Sequence, residues 1–139
     1  SFCNEKCRVR DYEKSLAFYK KTEPINDEWV TFIGALSDNY KEVLQSEIEF
    51  DKIKENNMLY SKILAYILYR HLSKAVFDGS IKERVEFSVE AVRFIRLCDI
   101  KTFSEKGYLT LTDRINNLKN WSKQIEYSEE NTDLMIYGE

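Results

Sequence analysis

Residues that make turns are scarce in this chain, which has four Gly and one Pro among 139 residues. A sheet protein needs a turn roughly every 8–12 residues, and so few turn formers cannot supply them. Long helices joined by few breaks fit this count, and apolar residues, at 43%, are frequent enough for a buried core. We therefore predict an all-α fold, a compact bundle of five or six mostly antiparallel helices, with residues 1–139 as a single helical domain.

Apolar side chains recur every three to four residues, which is the spacing of one face of a helix. This pattern predicts helices over 11–21, 27–44, 57–76, 81–98 and 111–125, and a short last helix over 128–137. The segment 57–76 is the most apolar and is expected at the centre of the bundle. The stretch 46–57 is predicted to contain a helix end and a linker, and 99–108 is predicted to be a loop.

Helix starts are marked by residues that cap free backbone N–H groups. Asn26 is a good N-cap for the second helix, because Asp27 and Glu28 follow it in the first turn. The pattern S-x-x-E over 80–83 predicts a capping box, and T-x-x-D over 110–113 predicts a weaker one. Some of these segments are rich in β-branched residues, which alone would also fit strands. The capping patterns favour helices there.

The net charge and the cysteine count restrict the kinds of partner and the cellular compartment that we expect for this chain. The formal net charge is −3, so a basic nucleic-acid-binding face is not expected. The longest apolar cluster, 63–69, is far too short to span a bilayer, and no membrane association is expected. Three cysteines suit a reducing, cytoplasmic location better than a disulfide framework. Because the chain begins with Ser1, we expect a fragment of a longer protein.

Metal-binding and nucleotide-binding patterns are incomplete. Cys3 and Cys7 are four residues apart and would share one helix face, which provides half of a cysteine ligand set. We therefore take this pair as metal ligands only together with cysteines of a longer chain. One histidine cannot build the bundle sites that need two Glu-x-x-His motifs, and no glycine-rich phosphate loop is present.

His71 is the single histidine, and it lies within the most apolar predicted helix. It is either a general base or a structural histidine, and no carboxylate lies four residues away to orient it. Arg70, Arg93 and Arg96 also lie within apolar helices. Each either pairs with a carboxylate or an anionic ligand, or extends its charge to solvent from the helix surface.

The acidic run 126–131 stands out near the C-terminus. One interpretation is structural: Ser128 caps the last helix, and Glu129 and Glu130 favour its positive end. The other is functional, with the run recognising a basic partner. The polar residues of this run are taken together with the arginine and the histidine of the apolar helix as one candidate functional surface. It comprises Arg70, His71, Glu126, Ser128, Glu129 and Asn131.

Two strings of the sequence, with one short step between them, resemble a bacterial family. In chain order they are YILYRHLSKAVFDG at 66–79, the step Ile95-Arg96-Leu97, and WSKQIEYSEEN at 121–131. In this order they resemble the C-terminal portion of the flagellar lysine-N-methylase (FliB-type) family, and the resemblance covers roughly 57–131. It implies transfer of methyl groups from S-adenosylmethionine to lysine side chains of flagellin.

The same resemblance implies a cysteine-rich segment with an iron–sulfur cluster toward the N-terminus of the family's full-length proteins. This chain has no such block, and the cysteine pair near its start does not reproduce it. We therefore expect a C-terminal helical portion without a complete catalytic site and with no cofactor of its own. Its partners would be the missing N-terminal part and a flagellin-like substrate.

Two other functions remain open from the sequence. The chain is alternatively a helical protein-interaction module that takes part in no catalysis. A third hypothesis is a ligand-binding regulator whose pocket is walled by aromatic residues. Those residues are Trp29, Tyr60, Tyr66 and Phe94.

Overall fold

The computed structural model describes residues 5–138, with side chains from residue 12 onward. Its helices are α1 (Glu5–Lys21), α2 (Asp27–Val43), α3 (Glu47–Phe50), α4 (Asn56–Asp78), α5 (Ile81–Lys106), α6 (Leu111–Gln124) and α7 (Glu129–Tyr137). A 3-10 turn, Leu44–Ser46, joins α2 to α3. No strand occurs within these residues, and the predicted all-α bundle is confirmed, with six long helices and the four-residue α3.

The centre of the bundle is α5, not the more apolar α4. Helices α1, α2, α4, α6 and α7 all contact α5. The stretch 94–100 of α5 is buried nearly all round, with Ile95, Leu97 and Ile100 fully enclosed. One cluster of buried apolar side chains extends from Tyr12 on α1 to Ile136 on α7. The early helices therefore share their core with the later ones.

Helix α4 lies at the side of α5 and runs antiparallel to it. Near one end the Tyr60 hydroxyl donates to Asp99, and near the other the rings of His71 and Phe87 meet edge to face. The connection between the two helices is two residues long, and Gly79 adopts the left-handed φ of 71° that glycine favours. Apart from α5, α4 makes few helix contacts, so much of its surface stays open.

Three of the predicted caps form as expected. The Asn26 side chain accepts from the Trp29 N–H, and Ser128 accepts from the Asn131 N–H. Thr110 and Asp113 make a reciprocal capping box. These bonds satisfy backbone donors that have no partner inside the helix.

The predicted capping box at Ser80 is wrong. The Ser80 hydroxyl accepts no backbone N–H from the first turn of α5 and donates instead to the Asp78 carboxylate. It also accepts from Arg84 Nε at 2.7 Å. The Arg84 guanidinium competes for this oxygen, since a hydrogen bond from a charged donor is stronger than one from a neutral amide.

The loop predicted over 99–108 is also wrong, because α5 continues to Lys106 and ends at Gly107 with a φ of 81°. Asp99 lies inside this extension and is held by Tyr60 and Asn117 from other helices. The predicted linker over 46–57 likewise contains α3, which is anchored by the fully buried Phe50. In both places tertiary contacts override a locally polar sequence.

Within residues 5–138, no helix is both long and apolar enough to cross a membrane.

Candidate functional site

A buried carboxylate, Glu126, lies between α4 and the connection from α6 to α7. Its side chain is 1% exposed, and its Oε2 atom lies 3.1 Å from Nε2 of His71. The Ser122 hydroxyl donates to Oε1 at 2.7 Å, and Arg70 Nε lies 3.5 Å from Oε2. Two residues of α4 and one of α6 thus hold a carboxylate 55 positions from His71.

Opposing effects act on the pKa of Glu126. Burial raises the pKa of this carboxyl, while the hydrogen bonds from His71 and Ser122 and the charge of Arg70 lower it. The lowering effects prevail, and the pKa lies below its usual value. Glu126 is therefore ionised at neutral pH, and its negative charge attracts the two α4 side chains.

The surroundings of His71 are those of a structural histidine. Its side chain is 7% exposed, and its ring packs edge to face on Phe87 with centroids 4.9 Å apart. Nε2 faces Glu126, while Nδ1 is enclosed without a hydrogen-bond partner among the described residues. Because Nδ1 is shut off from solvent, this geometry does not present a base to an incoming substrate.

An open cleft of about 500 Å³ lies beside this cluster. Its cationic lining consists of Arg70, Lys74 and Arg84, and its carboxylates are Glu126, Glu129 and Asp133. His71, Tyr127 and Thr132 complete the wall. The cleft is thus polar and carries both signs of charge.

The structure divides the candidate functional surface into two groups. Arg70, His71, Glu126 and Glu129 line the cleft. Ser128 and Asn131 hold α7 in place. Asn131 accepts from the Glu23 N–H at 2.8 Å and donates to the carbonyl oxygens of Glu23 and Gln124.

Three charged residues of the cleft, Lys74, Arg84 and Asp133, were not among the sequence-based candidates. Lys74 lies four residues after Arg70, and Asp133 four after Glu129, so helical spacing alone could have found these two. No local sequence pattern marks Arg84 as a residue of the cleft. Its guanidinium is oriented by Asp78 and by Tyr137 on α7, each with an oxygen 3.1 Å from Nη2.

The other two arginines of the apolar helices are ion-paired outside the cleft. Arg96 binds Glu47 at 2.7 Å and Asp51 at 2.5 Å, which fastens α3 to α5. Arg93 binds Glu90 at 3.2 Å, one turn earlier on α5. Both arginines thus pair with carboxylates of this chain, which is one of the alternatives that the sequence left open.

A second buried carboxylate, Asp99, belongs to the core. It accepts from the Tyr60 hydroxyl and from Asn117 Nδ2, and Arg114 lies 3.8 Å away. Burial raises the pKa of Asp99, although these hydrogen bonds lower it in part. The network joins α4, α5 and α6 and gives the extension of α5 its packing partners.

The predicted aromatic pocket does not form. Trp29 and Phe94 pack together in the core, with ring centroids 6.0 Å apart. Tyr60 lies in the Asp99 network, and Tyr66 is half exposed and accepts from Arg70 on the outside of α4. These side chains therefore do not wall one cavity.

The cysteine hypothesis concerns residues at the edge of the structure. Cys3 and the Cys7 side chain lie outside the described residues. Cys98 is enclosed in the core, and burial raises the pKa of its thiol, which disfavours the thiolate that metals bind. Among the described residues, no group of three or more His, Cys, Asp or Glu side chains could hold a metal ion.

Comparison of the chain with protein-family models, with curated proteins and with solved structures finds no match.

Proposed function

We propose that this chain is the C-terminal helical portion of a flagellin-type lysine-N-methylase, in which it binds the protein substrate without a complete catalytic site. The supporting observation is that the two methylase-like strings meet at the polar cleft. The string 66–79 contributes Arg70 and Lys74, and the string 121–131 contributes Glu126 and Glu129. Residues that resemble the family in separate parts of the sequence therefore form one surface.

The cleft suits contact with a polypeptide. Glu129 and Asp133 offer carboxylates to basic side chains of a partner, and Arg70 and Lys74 offer cations to acidic ones. Mixed polar surfaces of this kind favour specificity and orientation, because they disfavour partners that carry a mismatched charge. Glu126 itself is occupied by His71 and Ser122, so we assign it the role of holding Arg70 in position.

The cofactors implied by the resemblance are assigned to the remainder of the enzyme. An iron–sulfur cluster needs several thiolate ligands. The one cysteine whose side chain is described, Cys98, is enclosed among apolar core residues. The described residues thus do not fit the cluster, and we derive no step through it. S-adenosylmethionine would supply the methyl group from a site formed mainly by the rest of the protein.

Calorimetric titration tests whether the S-adenosylmethionine site is formed by the rest of the enzyme and not by this chain. We expect no heat of binding when S-adenosylmethionine is titrated into this chain. Tight binding would contradict the proposal, because it would show a complete cofactor site within these 139 residues.

Titration with a purified bacterial flagellin tests the substrate-binding part. We expect saturable binding that weakens at least about fivefold, roughly 1 kcal/mol, in the double variant Glu129→Gln/Asp133→Asn. The matched control is Glu130→Gln, which removes a neighbouring charge outside the lining of the cleft. Absence of flagellin binding would overturn the proposal.

The alternative function is a helical protein-interaction module without catalysis in any context. The observation that favours it is a row of exposed apolar side chains on α4, including Val76, which is 79% exposed. The native sequence that precedes Ser1 discriminates the two functions. A cysteine-rich segment there supports the methylase, whereas a start codon beside Ser1 supports the stand-alone module.

A further inference from the structure

The outer side of the α4–α5 pair carries two parallel rows of apolar side chains, away from the cleft. We call them the outer apolar face, and they comprise Leu68, Leu72 and Val76 on α4, and Ile81, Val85 and Val89 on α5. Four of these six are exposed, including Val76 at 79% and Ile81 at 60%. The two leucines are partly buried between them.

The register of the two helices explains why both rows lie on one side. On α4, Leu72 and Val76 each follow a buried residue, His71 and Ala75, by one position. On α5, Val85 and Val89 follow the buried Arg84 and Ser88 in the same way. A step of one residue turns about 100° around a helix axis. Because the helices are antiparallel neighbours, both rows turn toward the outside of the pair.

The face has clear limits. Beyond Val89 the same side of α5 is covered where Arg96 binds Glu47 and Asp51 near α3. On the far edge of α4, Arg70 faces the cleft. The apolar rows are therefore a bounded patch between two polar regions, distinct from the surface assigned to the substrate.

We infer that a second copy of this chain covers the outer apolar face, so that two α4–α5 pairs pack into a four-helix interface. With Tyr69 at its edge, which is 85% exposed, the face offers roughly 600 Å² per copy, which is at the upper end of the largest apolar patch that a typical monomer exposes. A symmetric dimer that covers both faces completely buries about 1,200 Å² of accessible surface in total, which is the lower end of the range of stable specific interfaces.

Self-association suits the shape and charge of the face. Two antiparallel helices with apolar side chains four residues apart present ridges that fit the grooves of an identical pair, as in antiparallel four-helix bundles. A two-fold axis brings the same patch of each copy together. The exposed charges beside the α5 row are Lys82 and Glu86, one of each sign, so two copies do not oppose surfaces of a single charge.

Sedimentation equilibrium or light scattering after size exclusion tests this inference on the full 139-residue chain. We expect twice the monomer mass at micromolar concentration. The double variant Val76→Lys/Val85→Lys should weaken the dimer at least about tenfold and retain its helical circular dichroism, because both side chains are exposed. A monomer at every concentration up to about 1 mM, or a dimer that survives both substitutions, would overturn the inference.

A matched control variant tests whether the dimer depends on the outer apolar face or on any exposed apolar side chain. Val30 on α2 and Ile115 on α6 are exposed to a similar degree, at 51% and 41%. The variant Val30→Lys/Ile115→Lys should leave the mass at twice that of the monomer. If this control dissociates the dimer as well, the interface lies elsewhere and the inference fails. The flagellin titration reports separately on the cleft.

Discussion

Replacing Asn131 with alanine should destabilise the chain strongly. The Asn131 side chain is buried within the first turn of α7 and makes three hydrogen bonds. Its Oδ1 accepts from the Glu23 N–H at 2.8 Å, and its Nδ2 donates to the carbonyl oxygens of Glu23 at 2.8 Å and Gln124 at 2.9 Å. One amide thus ties α7 to the end of α6 and to the segment between α1 and α2.

The size of the effect follows from these three bonds. Each contributes about 1 kcal/mol net, and a buried backbone group left without a partner costs a further 1–3 kcal/mol. We therefore expect Asn131→Ala to lower the free energy of unfolding by about 4–6 kcal/mol. Domains of this size are stable by about 5–15 kcal/mol, so the variant loses a large part of its stability.

Urea unfolding followed by circular dichroism measures this loss. Asn116→Ala on α6 is the matched control, because Asn116 is exposed and its replacement should change stability by no more than about 0.5 kcal/mol. An Asn131→Ala variant within about 1 kcal/mol of the parent chain would refute the reasoning. It would show that α7 does not depend on this amide.

Three further substitutions test the polar contacts. Glu126→Gln should cost roughly 2 kcal/mol at neutral pH by urea unfolding. Since the folded-state pKa of Glu126 is lowered, the parent loses this advantage as the pH falls below the ordinary glutamate pKa and through the lower folded-state value, so the difference between the two chains should shrink with acidification. Tyr60→Phe removes a donor to the buried Asp99 and should cost about 1.5–3 kcal/mol. Thr110→Ala removes the α6 cap and should cost about 1 kcal/mol in thermal unfolding.

Each of these variants has an exposed control. Glu130→Gln, Tyr108→Phe and Thr112→Ala keep the same chemical change but place it on exposed side chains. We expect each control to alter stability by no more than about 0.5 kcal/mol. A control that matches its test variant would show that burial and the specific partner do not matter at that site.

Local sequence rules were sufficient where the structure is local. The spacing of apolar residues placed the long helices, and single residues such as Asn26, Thr110 and Ser128 marked helix starts. These signals succeed because capping and helical periodicity involve residues within one or two turns of each other.

The errors occur where distant residues meet. The extension of α5 past Asp99 depends on Tyr60 and Asn117, which belong to other helices. At Ser80 the guanidinium of Arg84, only four residues away, binds the hydroxyl that would have capped α5, and that guanidinium is itself held by Tyr137 on the distant α7. No local pattern predicts such competition, because the outcome depends on the packed geometry.

In the candidate site, too, individual residues could be predicted from local sequence, but contacts between distant residues could not. Arg70 and His71 in one string and Glu126 and Glu129 in another were candidates for one functional surface, but no sequence pattern indicated which of them are in contact. A histidine without a carboxylate one turn away proves to have one 55 residues further along the chain. The pairing could not be inferred from spacing, since it arises only when α4 packs beside the connection from α6 to α7.

Nuclear magnetic resonance mapping tests the proposed function most directly. When unlabelled flagellin is added to the ¹⁵N-labelled chain, the proposal predicts amide shifts concentrated around the cleft, at Arg70, Lys74, Glu129 and Asp133. Saturation of these shifts would give the affinity at the same time. An unchanged spectrum, or shifts confined to surfaces away from the cleft, would contradict its assignment as the substrate-binding surface.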